Sequence, residues 1–389
     1  MVNGRENIKG LTQTELRNFA SQLGEQSFRG DQLFHWLYRH GVTTFDEMTT
    51  IGKPLREKLY SVASLEQCQL VSLRTSNDGT LKFLFQLSDE SRIESVLIPS
   101  QTFEPNDDAY EHSTSRLTLC VSTQVGCPLD CQFCATGTMG FKRNLTAGEI
   151  VDQVLFVKKY LLHDSQNSSN DVTKVIEAKL TNIVFMGMGE PMLNYHNVLN
   201  AIEIIATGIE VSSRHITIST AGYPEKIRMF ADSNCRAKLA ISLHSLDNVV
   251  RTQLMPINKK YSLVELLEAS EYYYSITRQR ITFEYILFSQ INDTKQDIHR
   301  IVSLAKRLPC KFNIIPFHSI SFTGISGFGA TLRPTPNKEV HHFVRELREK
   351  NVTVFVRSSS GEDIEAACGQ LAISTSTSSN VLEFPSTLN

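Results

Sequence analysis

The sequence predicts an α/β fold: a small helical unit, a short antiparallel β extension, and then a partial, open (β/α)6-type barrel. Between residues 116 and 372, short apolar runs alternate with longer helical patterns, which is typical of parallel strands joined by crossover helices. The chain of 389 residues is also long enough for a barrel of roughly 250 residues plus a smaller unit.

The first predicted unit, residues 1–75, is helical. Thr12 and Thr14 are candidate N-caps of its first helix, and residues 28–39 form a second, amphipathic helix. Basic and aromatic side chains interleave in this second helix, a pattern that suits RNA contact. A helix whose aromatic side chains are simply buried shows the same pattern, and the residues alone favour that interpretation.

The second unit, residues 76–115, is predicted to be the β extension followed by a polar connector. Alternating apolar residues at 81–87 and 92–98 predict two antiparallel strands, preceded by a turn at 77–79. The alternating pattern itself begins near Cys68.

The third unit, residues 116–372, contains the strand-helix alternation. Its clearest helix begins at a capping box formed by Thr146 and Glu149 and continues to residue 162. The predicted strands are 117–121, 182–186, 215–219, 238–242, 281–288, 312–316 and 352–357.

Three segments do not fit this alternation. Residues 163–179 are polar and rich in Ser and Asn, which predicts a surface insertion, and residues 320–330 are rich in Ser and Gly, which predicts a mobile loop. Residues 373–389 are rich in Ser and Thr and predict a disordered tail.

Composition narrows the class of protein. A content of 41% hydrophobic and 21% charged residues is typical of soluble globular proteins. No apolar run approaches the ~18 residues of a membrane span, and residues 1–10 contain no signal-peptide core, so we expect a cytoplasmic protein without membrane contact. The eight unevenly spaced cysteines indicate metal or redox chemistry in a reducing compartment. The net charge of -2 leaves the partner open, because nucleic-acid binding depends on local patches.

A loop with three cysteines, Cys127, Cys131 and Cys134, is the most informative segment. Its Cys-x3-Cys-x2-Cys spacing suits one metal centre, and thiolates favour zinc or iron-sulfur clusters. A structural zinc site normally has four ligands, and no fourth Cys or His lies near in sequence. Three Cys ligands on a [4Fe-4S] cluster leave one iron open. A zinc site and three unrelated buried thiols are the alternatives.

With Phe133 directly before Cys134, the pattern resembles the signature of the radical S-adenosylmethionine (SAM) enzymes. This resemblance implies a [4Fe-4S] cluster whose open iron binds SAM and whose electron cleaves SAM to a 5′-deoxyadenosyl radical.

Other distinctive residues follow the predicted strands, where the active site of a strand-helix barrel lies. Gly189 lets the backbone approach a ligand closely, and Glu190 can pair with a cationic amino group such as that of SAM. Ser219, Ser242 and His244 can hydrogen-bond the ribose and carboxylate of SAM, and local backbone capping is the alternative for each.

Two further cysteines stand near strand ends. Cys120 lies near the end of the first barrel strand, on the same predicted face as Thr118 and Ser122, and Cys368 follows the last strand. A lone cysteine is usually buried and inert, and each of these two, taken singly, fits that description.

Longer motifs resemble the RlmN/Cfr family of RNA methyltransferases, and the similarity extends from the N-terminal unit to about Ala372. The motifs lie at 28–33, 119–127, 140–150, 185–191, 241–244, 255–261 and 366–371. The resemblance implies methyl transfer to C2 of adenine, in 23S rRNA near the peptidyl-transferase centre and in tRNA just 3′ of the anticodon. It also implies an RNA-binding N-terminal domain, an electron donor such as flavodoxin or ferredoxin, and a monomer.

The resemblance further assigns roles to single residues. One SAM methylates Cys368, which requires a thiolate. A second SAM, bound at the cluster, yields the radical that takes a hydrogen from the S-methyl group, and the resulting carbon radical adds to adenine C2. Cys120 then attacks the sulfur of Cys368, releases the methylated base and leaves a transient disulfide for a reductant to open. Glu94 matches the family's proton acceptor, although a strand Glu is more often a solvated residue.

The SAM contacts that the resemblance implies are Gly189, Glu190, Ser219, Ser242, Leu243 and His244. The chain departs from the family at one further contact, because many members carry Asn after the sixth strand and this chain carries His318. Imidazole can donate or accept a hydrogen bond as Asn does, so we expect SAM binding to survive.

Three other functions remain open from the sequence. The C8-directed branch of the same family tends to carry Cys at the position of Val125 and to lack Pro191, so both residues favour the C2 branch. A radical SAM maturase acting on protein is disfavoured by the N-terminal unit and by Cys368. A non-enzymatic zinc- or cluster-bearing RNA-binding protein would show zinc without iron and no SAM cleavage.

Overall fold

In the computed structural model, the chain forms one large mixed β-sheet flanked by helices, with a helical unit at its N-terminus. The residues that the structure describes are 5–101, 115–167, 180–357 and 360–373. Most of the predicted connector, the second half of the predicted insertion and nearly all of the predicted tail lie outside them, at 102–114, 168–179 and 374–389. Among the described residues, none of the helices combines the length and the apolar character needed to cross a membrane.

The N-terminal unit contains three α-helices and a short parallel strand pair. The elements are β1 (Glu6–Asn7), α1 (Gln13–Gln22), α2 (Phe28–Phe34), α3 (Lys53–Val62) and β2 (Ala63–Ser64). Thr12 caps α1 in a capping box with Glu15, as the sequence predicts. The predicted second helix changes character after Phe34 and continues as a π-helix, His35–His40. Its aromatic side chain at Tyr38 is buried.

Three antiparallel strands follow. They are β3 (Gln69–Thr75), β4 (Leu81–Gln86) and β5 (Arg92–Gln101), paired in that order. The predicted boundary at residue 75 therefore falls after β3, so the strands begin earlier than the predicted unit 76–115. The predicted turn forms between β3 and β4, where Gly79 has a φ of 83° and donates its N–H to the carbonyl of Ser76.

Among the described residues, the barrel has seven parallel strands, and each lies within two residues of its predicted bounds at either end. They are β6 (Ser115–Cys120), β9 (Leu180–Phe185), β10 (Ile216–Thr220), β11 (Lys238–Ser242), β12 (Ile281–Leu287), β13 (Cys310–Pro316) and β14 (Val354–Val356). A small hairpin, β7 (Gln124–Gly126) and β8 (Phe141–Asn144), flanks the cysteine loop. The strand β14 ends the sheet without closing onto the other edge, which confirms the partial barrel.

Helices connect the parallel strands. They are α4 (Ala135–Thr138), α5 (Ala147–Asn167), α6 (Tyr195–Ile204), α7 (Pro224–Asp232), α8 (Asn248–Leu254), α9 (Leu263–Thr277), α10 (Lys295–Arg307), α11 (Phe328–Thr331) and α12 (Asn337–Glu349). The predicted capping box of α5 is present, since Thr146 and Glu149 each accept the backbone N–H of the other. The helix continues to Asn167 and so includes the start of the predicted insertion.

The strand order of the large sheet is β14-β13-β12-β11-β10-β9-β6-β5-β4-β3. Strand β6 pairs parallel with β9 and antiparallel with β5, so it joins the barrel to the β extension. In this register Cys120 lies opposite Val96 on one side and Val184 on the other.

The N-terminal unit docks on the start of α5. Lys9 and Asp152 form a buried ion pair there, and Asp152 also accepts the backbone N–H of Cys68. The backbone of α5 at Gly148 lies so close to the backbone at Lys9 that a Cβ atom at Gly148 would be 2.3 Å from the Lys9 carbonyl oxygen. This contact requires glycine and fixes the unit against the barrel.

We predict that Gly148→Ala lowers the free energy of unfolding by about 1–3 kcal/mol, because the added methyl group must push the two backbones apart. Urea unfolding of the apo protein measures the change. Gly52→Ala is the control, since its nearest neighbour is a side-chain atom of Pro54 at 3.9 Å. The control should lose no more than about 1 kcal/mol, the usual effect of a poorer N-cap residue. Equal losses in the two variants would contradict the tight docking.

Candidate active site

The three cysteines of the predicted metal centre lie on the loop between β7 and α4, beyond the carboxyl end of β6. The loop is fixed by backbone hydrogen bonds from Cys127 to Gly140 at 2.9 Å and from Cys134 to Cys131 at 3.1 Å. Gly126 has a φ of 72°, and a Cβ atom there would lie 1.9 Å from the carbonyl oxygen of Gly140. A side chain at this position would therefore prevent the loop from closing.

Burial raises the pKa of all three thiols in this loop, that of Cys127 to about 12. The thiols also oppose one another's ionisation, because each thiolate places negative charge near the next. Binding of metal in this loop must therefore displace protons.

The three cysteines share a cavity of about 150 Å³ with residues that the sequence predicts to bind SAM. The predicted residues that line it are Gly189, Glu190, Ser219, Ser242 and His244. Leu243 is fully buried and does not line the cavity, and its carbonyl instead accepts a hydrogen bond from Arg251.

The donor set of this cavity fits an iron-sulfur cluster. In the part of the chain that the structure describes, no three His, Cys, Asp or Glu side chains are arranged around a single metal ion. A cluster makes a different demand, because each thiolate binds its own iron. The loop has three thiols around one cavity and no fourth cysteine, so it can bind three irons of a cluster and leave the fourth iron open to a ligand.

The Glu190 side chain accepts two backbone N–H groups, from Met192 at 2.9 Å and from Ala221 at 2.7 Å. Each carboxylate oxygen keeps a second lone pair, so the group can still accept from a ligand. Burial nevertheless raises the pKa of Glu190 to about 7. A cationic ligand group beside it would favour the ionised form.

His244 is held as a neutral imidazole. Its Nδ1 accepts the backbone N–H of Ile286 at 3.1 Å, and its ring packs against Phe133 of the cysteine loop with centroids 4.6 Å apart. Burial, assisted by the positive charge of Arg251, lowers the pKa of His244 to about 3. The residue also has a φ of 53°, which turns the chain sharply after β11.

A second cavity, of about 440 Å³, adjoins the first and contains the other two predicted cysteines, Cys120 and Cys368. Thr118 lines it together with Cys120, as the alternation of β6 predicts. Burial, and to a lesser extent the Cys368 thiolate, raises the pKa of Cys120 to about 12. All eight cysteines lie within the described residues, and all are free thiols.

His318 lies apart from the other predicted SAM contacts. It lines the 440 Å³ cavity, and its Nδ1 is 3.1 Å from a carboxylate oxygen of Glu362. The structure therefore places the imidazole beside the segment that carries Cys368, rather than among the residues around the cysteine loop.

Cys368 belongs to the wall that the two cavities share. The residues that line both cavities are Met186, Ile315, Arg357, Cys368 and Gly369. A group attached to the Cys368 sulfur could therefore face either cavity. The Cys368 sulfur therefore lies between the cavity of the cysteine loop and the cavity that contains Cys120.

Glu94 lies on β5 and is only 2% exposed. One carboxylate oxygen accepts from Lys82 Nζ at 3.0 Å, whereas the other is buried and has no hydrogen-bond partner among the described residues. Burial raises the pKa of Glu94 to about 7 in spite of the opposing effect of Lys82. Lys82 also donates to the carbonyl of Glu365, three residues before Cys368 in sequence.

Sequence reasoning missed three charged residues in this region. Arg357 ends the last predicted strand, and the rule that strand ends carry the site could have found it. Glu284 is the one charged residue in the strand Ile281–Leu287, and this feature of the sequence could have found it. Arg251 lies on a short helix, and nothing in its sequence neighbourhood marks it as buried.

Comparisons with known proteins agree with this geometry. Residues 121–305 match the Radical SAM superfamily, and residues 6–65 match the family described as "Ribosomal RNA large subunit methyltransferase N-terminal domain". The chain is 41% identical to the "Probable dual-specificity RNA methyltransferase RlmN" of Christiangramia forsetii, over 95% of this chain and 96% of that protein. The chain belongs to the RlmN family.

Two further similarities cover almost the whole chain. The RlmN protein of Chloroherpeton thalassium is 42% identical over 95% of this chain and 94% of its own. The crystal structure of a radical SAM methyltransferase from Sphaerobacter thermophilus superposes with a TM-score of 0.79 at 35% identity, covering 94% of this chain and 98% of that one. As a member of the RlmN family, the chain is a radical SAM enzyme whose cofactors are a [4Fe-4S] cluster and SAM.

We predict that Glu94→Gln flattens the pH dependence of stability of the apo protein. Folding raises the pKa of Glu94 from its ordinary value of 4.5 to about 7, so the native state holds this proton more tightly than the unfolded state does. The stability it contributes is complete below pH ~4.5 and is lost as pH rises through ~7, by about 3 kcal/mol in total.

Urea unfolding at several pH values between 5 and 8 measures this change. Glu268→Gln, at an exposed position of α9, is the matched control and should follow the wild-type curve. A Glu94→Gln curve that is parallel to wild type would show that the pKa of Glu94 is not raised by folding.

Proposed function

We propose that this enzyme methylates C2 of adenine in RNA, in 23S rRNA and in tRNA, through a methyl group carried on Cys368. The observation that carries the proposal is the position of Cys368 in the wall between two cavities. One cavity contains the three-cysteine loop and the other contains Cys120. A sulfur in this position can receive a methyl group on one side and deliver it on the other.

Cys127, Cys131 and Cys134 would hold the cluster, and Gly189, Glu190, Ser219, Ser242 and His244 would surround SAM. When bound, these groups supply the methyl group and the radical chemistry that activates it. Glu190 can accept from the amino group of SAM, and Ser219 and Ser242 offer hydroxyl groups to its polar atoms. His244, being neutral, would add no charge to the cavity that binds SAM.

The two thiols of the larger cavity would have different tasks. Cys368 is the nucleophile that accepts the first methyl group. Burial keeps Cys120 protonated at neutral pH, since its pKa is about 12, so this thiol is a poor methyl acceptor. Once Cys368 is joined to the base, the Cys120 sulfur attacks the Cys368 sulfur, and the proton of the Cys120 thiol passes to the released methylene carbon, which becomes the methyl group. The new S–S bond replaces the bond between that sulfur and the methyl carbon, and a reductant later opens the disulfide.

Glu94 would accept the proton that the base gives up during this resolution. Its pKa of about 7 suits a general base at neutral pH, because the carboxylate is then partly ionised and still basic enough. Lys82 supports this role, since its ammonium group stabilises the ionised carboxylate. Glu94 shares the β5 face of Val96 and Ile98, which line the larger cavity.

The RNA would approach the mouth of the larger cavity. Arg116 is exposed and lines this cavity, where its guanidinium can contact phosphate. On the N-terminal unit, the Arg29 guanidinium lies 4.9 Å from the ring centre of the exposed Phe28, and Arg39 is also exposed. An exposed aromatic ring beside a cation suits an unpaired base and its phosphate. A cytoplasmic location, action as a monomer and electrons from a flavodoxin or ferredoxin complete the proposal. A SAM contact by His318 would require SAM to reach the larger cavity, which His318 lines.

We predict that Cys368→Ala abolishes formation of 2-methyladenosine in the reconstituted, anaerobic enzyme, because the variant has no sulfur to carry the methyl group. Mass spectrometry of nucleosides from an unmodified 23S rRNA fragment and from unmodified tRNA measures the product. Cys235→Ala, which removes a cysteine outside both cavities, is the control and should retain activity. An 8-methyladenosine product would move the enzyme to the C8-directed branch, and full activity of Cys368→Ala would refute the carrier role.

A second prediction concerns Cys120. Cys120→Ala should accumulate a covalent protein-RNA species, because the bond between the Cys368 sulfur and the methylated base cannot be exchanged for a disulfide. Denaturing gel electrophoresis of the reaction mixture detects the species, and digestion with ribonuclease should shift it back toward the free protein. If Cys120→Ala turns over normally without a crosslink, Cys120 has no part in resolution.

A further inference from the structure

Arg251 is a fully buried cation in the middle of α8, with only 1% of its surface exposed. Its guanidinium reaches the loops that follow two neighbouring strands. Nη2 donates to the carbonyl oxygen of Ala221 at 2.7 Å, after β10, and Nε donates to that of Leu243 at 3.2 Å, after β11. Arg251 therefore lies directly behind the loops that line the cysteine-containing cavity.

The hydrogen-bond partners of Arg251 carry no charge. Besides the two carbonyls, Nη2 is 3.4 Å from the carbonyl oxygen of Ser242, and Nη1 donates to the amide oxygen of Asn258 at 2.7 Å. Burial lowers the pKa of Arg251 to about 10, so the group remains protonated at neutral pH. Burying a cation without an anion is unfavourable even when its hydrogen bonds are satisfied.

Cys131 of the cysteine loop packs against the apolar cluster that contains Leu254, three residues after Arg251 on α8. The helix α8 also contacts the cysteine loop directly, because the backbone N–H of Gln132 donates to the carbonyl of Leu254 at 2.9 Å. Leu254 and Phe133 belong to one apolar cluster that holds the helix and the loop together. The geometry thus fixes the Arg251 cation beside the cysteine loop.

Other polar groups of the cavity do not neutralise this charge. Glu190 directs its carboxylate to the backbone N–H groups of Met192 and Ala221. His244 is neutral. The negative charge that balances the Arg251 cation is therefore supplied by the group that the cysteine loop binds.

We propose that Arg251 is the fixed counter-cation of the [4Fe-4S] cluster and raises its reduction potential. The inference rests on the proposed role of Cys131 as a cluster ligand. A cluster with three thiolate ligands carries net negative charge, and reduction adds one more electron to it. A fixed cation stabilises the reduced form more than the oxidised form, so the potential rises. Arg251 would act on the cluster only through its positive charge, and it touches no substrate.

Asn258→Asp tests the proposal without removing Arg251. The substitution keeps an acceptor oxygen opposite Nη1 but supplies an internal carboxylate, so the cation no longer lacks a counter-ion. We expect a more negative midpoint potential of the reconstituted cluster, measured without SAM by redox titration followed by electron paramagnetic resonance. The thermal stability of the apo protein reports the loss of the hydrogen bonds that the Asn258 amide group donates to Asn248 and Thr252. A purely structural Arg251 predicts a change in stability with no change in potential.

Matched variants complete the experiment. Asn337→Asp makes the same chemical change at an exposed position of α12, away from the cysteine loop, and should leave the midpoint potential unchanged. Arg251→Lys retains the charge and should keep a potential near that of the wild type, whereas Arg251→Gln should lower it. Equal potentials for Arg251→Lys and Arg251→Gln, or an unchanged potential for Asn258→Asp with full iron content, would overturn the proposal. A wild-type protein that binds no iron would instead refute the proposed cluster ligands.

Discussion

The active site depends on the pairing of one strand, β6, with a parallel neighbour and an antiparallel neighbour. Cys120 lies opposite Val96 of β5 and Val184 of β9, so its side chain faces the larger cavity only while both registers hold. A slip of one residue would turn it to the opposite face of the sheet. The same pairing brings Glu94, from the β extension, to the side of the barrel where the cysteine loop begins.

The sequence predicted the elements that depend on local patterns. The seven barrel strands follow from short apolar runs, and the α5 capping box follows from the spacing of Thr146 and Glu149. Spacing alone also identified the three-cysteine loop, because its three thiols lie within a few residues of one another. The thiols of Cys120 and Cys368 were recognised through the resemblance to a family and not through any pattern of their own.

Features set by long-range packing were not predictable in this way. The partner of Glu94 is Lys82, on the neighbouring strand, and the strand register that joins them is not visible in either segment alone. The position of His318 depends on a loop after β13 that brings it to Glu362. The burial of Arg251 arises from the packing of α8 on two loops, whereas a short helix with one arginine usually exposes it.

The polar groups around the two cavities are incompletely paired among the described residues. Glu94 and Glu284 each have a buried carboxylate oxygen without a hydrogen-bond partner, and Arg251 has no carboxylate beside it. Such buried groups destabilise a folded protein unless a ligand or another partner supplies the missing hydrogen bond or counter-charge. The position of these groups near the two cavities indicates that stability has been given up locally so that ligands can bind.

The segment around Cys368 is attached on one side to the β extension, through Gly361 and Asp78, and on the other to the cysteine loop. The second attachment is short, since the backbone N–H of Ala135 donates to Gly369 at 2.7 Å. The β extension is therefore not a separable module in evolutionary terms. A recombination event that exchanged it for another domain would detach the Cys368 segment from its anchor, so the extension and the barrel must be inherited together.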